Sequence, residues 1–401
     1  IAVYLKVGGR NDPPGKAGLS HFLEHMLFRG NEDLPSGPAI DSAFERIGGS
    51  VNAATDTEST CYYSRVHPDH VTEGIRLFSS LLLKPTMQEL ETEKKIITEE
   101  AREDLNERGE EINPDNLSST LLWPDSTLGM PTVGYLQTIA AIGEEDLRQH
   151  LARYYVPPNG VLAVAGRVDA QEVFDAAERF FGGWSGELPR QPEPVRERQE
   201  RPQGLFVQDS DSQVNLQIAF RGFSMSDPRM MAVKFIRRLL CGGGSSRLHL
   251  SLRERLGLVY SVDASVGAYR ETGTFAIDLS TSPGTLPLAV EETVRELRRL
   301  CSEEIGGEEL ERVRRSYLFD LEYSRDSASD MQTRYGWGEI MNVVRSVEDD
   351  RREALALGEP SLRETARRLF APERMNLVAV GPVKAGVRTK VEGALASYTL
   401  D

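Results

Sequence analysis

The chain is poor in cysteine and histidine, short of positive charge, and has no long apolar run. Its three cysteines, Cys61, Cys241 and Cys301, are too few and too scattered for a disulfide framework, which predicts a reducing compartment. No apolar stretch approaches the roughly 18 residues of a membrane span. Asp and Glu number 62 against 47 Lys and Arg, a formal charge of −15. Such a surface argues against nucleic acid and anionic membranes as partners and mildly favours cationic ones. No charged-then-apolar leader opens the sequence, so no export signal is expected from it. It starts at Ile1 inside a strand-like run, "IAVYLKV", which predicts that residues upstream of it are missing. Only 8 of the 47 basic residues are Lys. That bias points to a GC-rich bacterial genome, and the cytoplasm of a bacterium is the expected location.

What is present is the composition of a globular protein, 39% hydrophobic and 27% charged, in 401 residues, enough for about two or three domains. The chain is written twice. "YYVPPNGVLAVAGRVDA" matches "LFAPERMNLVAVGPVKA", and one offset carries both Pro157 to Pro372 and Gly166 to Gly381. The same offset carries Asp12-Pro13 in "VYLKVGGRNDP" to Asp227-Pro228 in "LQIAFRGFSMSDP". One offset serving both ends predicts two copies of one domain with drifting middles. Between them lies a segment rich in Pro, Arg and Glu without apolar period, which reads as a linker. The expected division is a domain over 1–183, a linker over 184–203 and a homologous domain over 204–401. Helical patterns ("AGLSHFLEHMLF", "DSAFERIG", "DHVTEGIRLFSSLLL", "MQELETEKKIITEEAREDLNE") stand beside adjacent strand patterns ("SVNAATD", "STCYYSRV") and a last strand, "GVLAVAG". This mixture predicts an α+β fold, each half a largely antiparallel sheet packed with helices.

One helix departs from ordinary core chemistry. "AGLSHFLEHMLFRG" places His21, Glu24 and His25 within five residues, in a chain with only six histidines. At about 100° per residue, His21 and His25 lie about 40° apart and can reach one metal ion. Glu24 falls about 60° beyond His21, on the side away from His25. This is the His-x-x-Glu-His order, the reverse of the His-Glu-x-x-His zinc motif. Two neutral imidazoles suit zinc, and a carboxylate beside them can take a proton from water at the metal. A pair of ordinary core histidines is the plainer reading. The repeat argues against it: at the same offset, the positions of His21, Glu24 and His25 are Ile236, Leu239 and Leu240. The helix packs with apolar residues there, and burying three polar groups instead costs several kcal/mol unless something satisfies them.

A zinc site of this kind needs a third ligand. The acidic run "QELETEKKIITEEARED" has an apolar stripe at Leu90, Ile97, Ala101 and Leu105, within about 80° of arc. Glu93 and Glu100 flank that stripe, about 60° and 80° from Leu90, whereas Glu99 lies about 180° away and faces water. Glu100 or Glu93 is therefore expected over Glu99. Asp104, also flanking the stripe, remains open.

"HFLEHMLF", the acidic helix with "EKKIITEE" and the duplicated halves resemble the pitrilysin and insulysin family of zinc peptidases, most closely its mitochondrial processing peptidase and bacterial branch. The resemblance runs from residue 1 to about 385. It implies one zinc per chain held by His21, His25 and Glu100, with Glu24 as general base and Glu93 as the acid that orients the site. Glu99, the neighbour of Glu100, is the rival for the third ligand. In "LRERLGLVY" the family has an Arg and a Tyr, seven apart, that reach the substrate; they match Arg253 and Tyr260. Both would donate to the substrate backbone and the developing oxyanion. "GGSVNAATD" looks like the family's edge strand, which a peptide could extend with Asn52 and Ala53 lining it. Members enclose the site between two halves, and this chain supplies one. The resemblance thus implies a homodimer, or a heterodimer with an inactive paralogue, whose chamber selects short or unfolded peptides by size, and the charge of −15 favours basic ones.

Two rival readings stand beside this one. One is a catalytically silent structural subunit of the same fold, against which stand the intact His21, Glu24 and His25. The other is a lyase of the quorum-signal type, which is much shorter and uses a Cys ligand; Cys61 would be the nearby candidate. "CGGGSSRL" lacks the Lys of a phosphate loop and resembles the family's glycine-rich loop instead. "HPDH", His67 and His70, is expected to be a surface helix start.

Overall fold

The computed structural model describes residues 1–400. The first copy of the repeat runs β1 (Ala2–Leu5), α1 (Leu19–Leu27), α2 (Gly37–Glu45), β2 (Val51–Thr55), β3 (Thr60–Ser64), α3 (Val71–Leu83), α4 (Leu90–Glu103), α5 (Pro114–Leu122), α6 (Leu136–Ala141), α7 (Glu144–Tyr154), β4 (Gly160–Ala163) and α8 (Ala170–Phe181). The second runs β5 (Gln203–Val207), β6 (Val214–Arg221), α9 (Met230–Cys241), β7 (Val259–Ala268), β8 (Gly273–Thr281), α10 (Leu286–Ser302), α11 (Gly307–Arg325), α12 (Ala328–Met341), α13 (Val347–Ala356), α14 (Glu359–Leu369), β9 (Met375–Val380) and α15 (Ala385–Ala396).

The repeat is more regular than the sequence suggested. α3 and α10 begin at Val71 and Leu286, α7 and α14 at Glu144 and Glu359, α8 and α15 at Ala170 and Ala385. All three pairs keep the offset that relates Pro157 to Pro372. These helices keep step because helix starts are set by backbone capping and packing, which survive when side chains diverge. The hairpin before α3 and α10 has drifted: Thr55 pairs with Thr60, five residues on, in the first copy, and Val266 with Phe275, nine residues on, in the second.

The fold is α+β, as the pattern of elements predicted. One sheet has the order β2-β3-β1-β4, every pair antiparallel. The other has the order β5-β9-β6-β8-β7, antiparallel except for the β5–β9 pair. β5 has no counterpart in the first sheet and starts at Gln203, the last residue expected in the linker.

The chain forms two compact units that are not its two halves. Unit one is Ile1–Glu103, Met130–Glu193 and Tyr323–Arg345; unit two is Asp104–Gly129, Pro194–Glu322 and everything from Ser346 on. Each unit therefore holds a helix from the other copy of the repeat. In unit one, α12 lies on β1 and β4, so close that a Cβ at Gly336 would stand 2.6 Å from the Tyr4 ring and 2.7 Å from Ala163. In unit two, α5 packs Leu117 against Val378 and Val380. There Arg221 donates to the Leu122 carbonyl at 2.7 Å, and Gln217 donates to Asp115 at 2.6 Å. The exchanged helices are equivalent, since the repeat offset carries Pro114 of α5 to Ser329 of α12. The compact units thus follow a different division from the boundaries expected at 183 and 204.

The core of unit one forms around α1. Phe22, Leu23, Met26 and Leu27 are fully buried against Leu5, Val7, Phe44, Phe78 and Leu81, each contributing about 1.5–3 kcal/mol by burial. Among the described residues, no helix is long and apolar enough to cross a membrane.

Candidate metal centre

The site is built on α1, whose start is held on two sides. Gly18 precedes it at φ +95°, a left-handed conformation, and a Cβ there would meet the Val133 carbonyl oxygen at 2.3 Å. The buried Asp12 accepts from the amides of Gly18 and Ser20 at 2.8 and 2.9 Å and from the Ser20 hydroxyl at 2.6 Å. These acceptors satisfy amides that a helix leaves unpaired at its start. His150 of α7 stands 2.9 Å from the Ser20 hydroxyl. Burial pushes Asp12 up to about 7 and holds His150 down to about 3.

With the apolar side of α1 in the core, its histidines emerge together. The His21 and His25 rings have centroids 4.5 Å apart. Across from them, α4 presents Glu100, whose Oε1 lies 3.5 Å from His21 Nε2 and whose Oε2 lies 3.8 Å from His25 Nε2. These are too long for good hydrogen bonds. They are the spacing expected of ligands around one tetrahedral zinc, whose bonds of about 2.1 Å put neighbouring donors roughly 3.4 Å apart. One ligand atom from each of the three residues lies within 4.8 Å of the others, the one such cluster of His, Cys, Asp and Glu among the described residues. His21 suits the role further: burial, then the neighbouring His25, hold it down to about 4, so it is neutral at pH 7. Its buried Nδ1 has no hydrogen-bond partner among the described residues. The donor set therefore fits a zinc ion.

The remaining acids take distinct places. Glu93 is buried on α4 and its Oε1 stands 2.7 Å from His25 Nδ1; its other oxygen pairs with the Arg29 side chain. Burial alone would raise Glu93, but His25 and Arg29 outweigh it and lower its pKa. Burial likewise opposes charge on His25, yet the Glu93 bond and the surrounding carboxylates leave its pKa raised. Bound metal would reverse that balance, because a cation at Nε2 repels a second proton. Glu24 is 8% exposed and its pKa is raised, chiefly by burial. The Thr55 hydroxyl donates to its Oε2 at 2.6 Å.

Glu99 points to water and pairs with Arg102. Asp104 and Leu105 lie past the end of α4, not on its stripe: the helix stops at Glu103. Both Asp104 oxygens accept from Asn113 and Asn116, at 2.9 and 3.0 Å. The periodicity of α4 could not show that end because the apolar spacing continues through it.

Asn52 and Ala53 lie on β2, the edge strand of the first sheet, Asn52 exposed and Ala53 half-buried. Arg253 and Tyr260 belong to unit two. Arg253 rides on a π-helical turn, His249–Arg255, with its guanidinium 5.4 Å from the ring centre of Tyr260, which is 84% exposed. That turn is anchored from behind: Ser251 and Arg255 both bond the buried Glu292 of α10, as does Arg295. His67 and His70 are exposed, and His67 caps the short turn before α3 by accepting from the Asp69 amide at 3.3 Å.

Three side chains of consequence escaped the sequence reading: Thr55, Arg29 and Glu292. Thr55 sits in an ordinary strand pattern, and nothing in one sequence pairs it with a glutamate on a distant helix. Arg29 alone had a signal, standing four residues after His25 just past the end of α1 at Leu27.

In unit two the positions of the triad are Ile236, Leu239 and Leu240 of α9, each 0% exposed. A duplicated α+β fold with one His-x-x-Glu-His helix and a carboxylate from a second helix defines a class, proteins built around a single helix-borne metal centre. Residues 1–134 match the family profile described as "Insulinase (Peptidase family M16)", and residues 141–317 match "Peptidase M16 inactive domain". The chain belongs to the peptidase M16 family. It is 29% identical over 377 residues to a Bacillus subtilis protein named an uncharacterized zinc protease, YmxG, covering 93% of this chain and 90% of that one. A Streptomyces coelicolor protein, also named an uncharacterized zinc protease, is 27% identical over 412 residues, covering 99% and 87%. Among solved structures, a protease from Helicobacter pylori superposes with a TM-score of 0.87 at 21% identity, covering 95% of this chain and 94% of that one.

Proposed function

We propose that this protein is a zinc-dependent endopeptidase with one zinc per chain. The observation that carries the reading is the convergence of His21 Nε2, His25 Nε2 and the Glu100 carboxylate, with the buried Glu24 on the same helix as both histidines. The three ligands would hold the ion, which when bound polarises a scissile carbonyl and acidifies water. Glu24 takes the proton of the attacking water and delivers it to the leaving amine. Glu93 holds His25 with Nε2 toward the metal. An extended peptide pairs with the open edge of β2, beside Asn52 and Ala53. Arg253 and Tyr260 are assigned to substrate binding, a role supported by their exposure and mutual stacking. Two copies of the chain would enclose a chamber that admits short or unfolded peptides. The charge of −15 favours basic ones.

The test is metal analysis and peptide cleavage on purified protein. About one zinc per chain and cleavage of an unstructured peptide library are expected. Glu24→Gln should keep the zinc and lose at least about 10²-fold in kcat, the usual scale of a missing general base. A zinc-loaded protein that leaves the library intact would sink the endopeptidase reading and favour a silent structural subunit.

A further inference from the structure

Glu24 must hold one orientation to act as a base, and a long, flexible glutamate side chain loses rotamer entropy when it is fixed. No residue of α1 supplies that restraint. It comes from β2. The Thr55 hydroxyl donates to Glu24 Oε2 at 2.6 Å. The second hydroxyl nearby, the buried Thr60, does not compete. Its Oγ1 donates to the Val7 carbonyl at 2.8 Å and stands 3.5 Å from Thr55. The Thr55 hydrogen is thus committed to Oε2, which leaves Oε1 of Glu24 for water. The repeat is again a control: at its offset Glu24 becomes Leu239, and Thr55, which pairs with Thr60, has as its counterpart by strand register Val266, which pairs with Phe275. Where the helix has no carboxylate, the matching position has no threonine.

We infer that Thr55 is a positioning residue for the reaction, fixing the carboxylate of Glu24 by a hydroxyl bond from the edge strand. The inference rests on the peptidase reading, in which β2 also seats the peptide, so that base and substrate share one support. Loss of the hydroxyl leaves a buried carboxylate without its side-chain donor and free to turn away from the water it must deprotonate.

The experiment compares zinc-loaded wild-type protein with Thr55→Val, which keeps the shape and strand preference without the hydroxyl, and with Thr55→Ser, which keeps the hydroxyl. Thr55→Val should lower kcat roughly ten- to hundred-fold while KM and zinc content stay within about two-fold of wild type. Thr55→Ser should recover kcat to within about three-fold of wild type. Added to Glu24→Gln, Thr55→Val should cause no further loss, because both act through one carboxylate. Crystal structures of the two variants give a readout independent of turnover: Glu24 in more than one rotamer in Thr55→Val, and in one rotamer in Thr55→Ser. The inference is overturned if Thr55→Val retains kcat within two-fold, if Thr55→Ser fails to rescue it, or if Glu24 keeps a single rotamer without the hydroxyl. An inactive wild type would instead remove the peptidase reading, and the rotamer comparison would then decide alone whether Thr55 orders Glu24.

Discussion

At the scale of single residues, the candidate metal centre is a set of unequal acids. Glu100 offers both oxygens to the two histidines, Glu93 is spent on His25 and Arg29, and Glu99 faces water. Substitution should separate them. Glu100→Gln should abolish tight zinc binding. Glu93→Gln should weaken it about 10- to 100-fold, the range for a partner that orients a ligand. Glu99→Gln should leave it unchanged. Competition with a chelator of known affinity measures all three, and a loss at Glu99 instead of Glu100 would shift the ligand by one position.

Asp12 and His150, next to the same helix, make a pH prediction. His150 is held to about 3 in the fold against an ordinary 6.5, so below pH 6.5 the unfolded chain takes a proton that the fold refuses. Its contribution therefore falls as pH drops from 6.5 toward 3. Asp12 is raised to about 7 against an ordinary 3.8, so the fold keeps a proton that the unfolded chain releases. Its contribution is present below 3.8 and is lost as pH rises through 7. The two oppose each other between pH 4 and 6.5. Relative to wild type, the Asp12→Asn melting midpoint should rise more steeply with pH across that window, and the His150→Gln midpoint less steeply. Thermal melts of metal-free protein at half-unit pH steps test both slopes.

At the scale of elements, what matters is how a short segment is pinned. α1 starts at a glycine in left-handed geometry, where a Cβ would clash with the Val133 carbonyl. Gly18→Ala should therefore cost about 1 kcal/mol or more from backbone conformation alone, with the steric clash added. Because it moves the helix bearing His21, zinc affinity should fall with it. Denaturant midpoints and zinc titration read the two effects, and an unchanged midpoint would mean that the segment gives way freely. The π-helical turn is pinned by Glu292 of α10. Glu292→Gln should speed amide exchange across 249–255 and raise KM several-fold. The same change in an Arg253→Ala background should raise KM no further.

At the scale of the whole molecule, the exchange of equivalent helices ties the two copies of the repeat together. The chain passes between compact units five times, and each sheet is covered in part by a helix from the other copy. Neither half should fold alone. A 1–193 fragment lacks α12 and leaves the packing surface of Tyr4 and Ala163 bare. We expect that fragment to be aggregated or lacking cooperative unfolding, and the intact chain to unfold in a single transition. Two separated calorimetric transitions would contradict this. At the same scale, the proposed dimer predicts about twice the 44.6 kDa chain mass in light scattering.

Much of this was legible in the chain itself. The duplication, the α+β mixture, the helix of His21, Glu24 and His25, and the preference for Glu93 and Glu100 over Glu99 all follow from periodicity and from one constant offset between the copies. Periodicity reports which face of an element turns inward, and the repeat supplied an apolar control for the same helix. Other features depend on contacts between residues far apart in sequence, which no local pattern encodes. Periodicity left Glu93 and Glu100 as equals, and the division that the family resemblance implied shows as contacts only in the tertiary structure, which also ended α4 before Asp104, gave Thr55 to Glu24, and put Glu292 against the turn of Arg253. It also decided that α5 and α12 trade places, because a helix with one apolar face packs equally well by pattern on either sheet, and only the path of the backbone chooses between them.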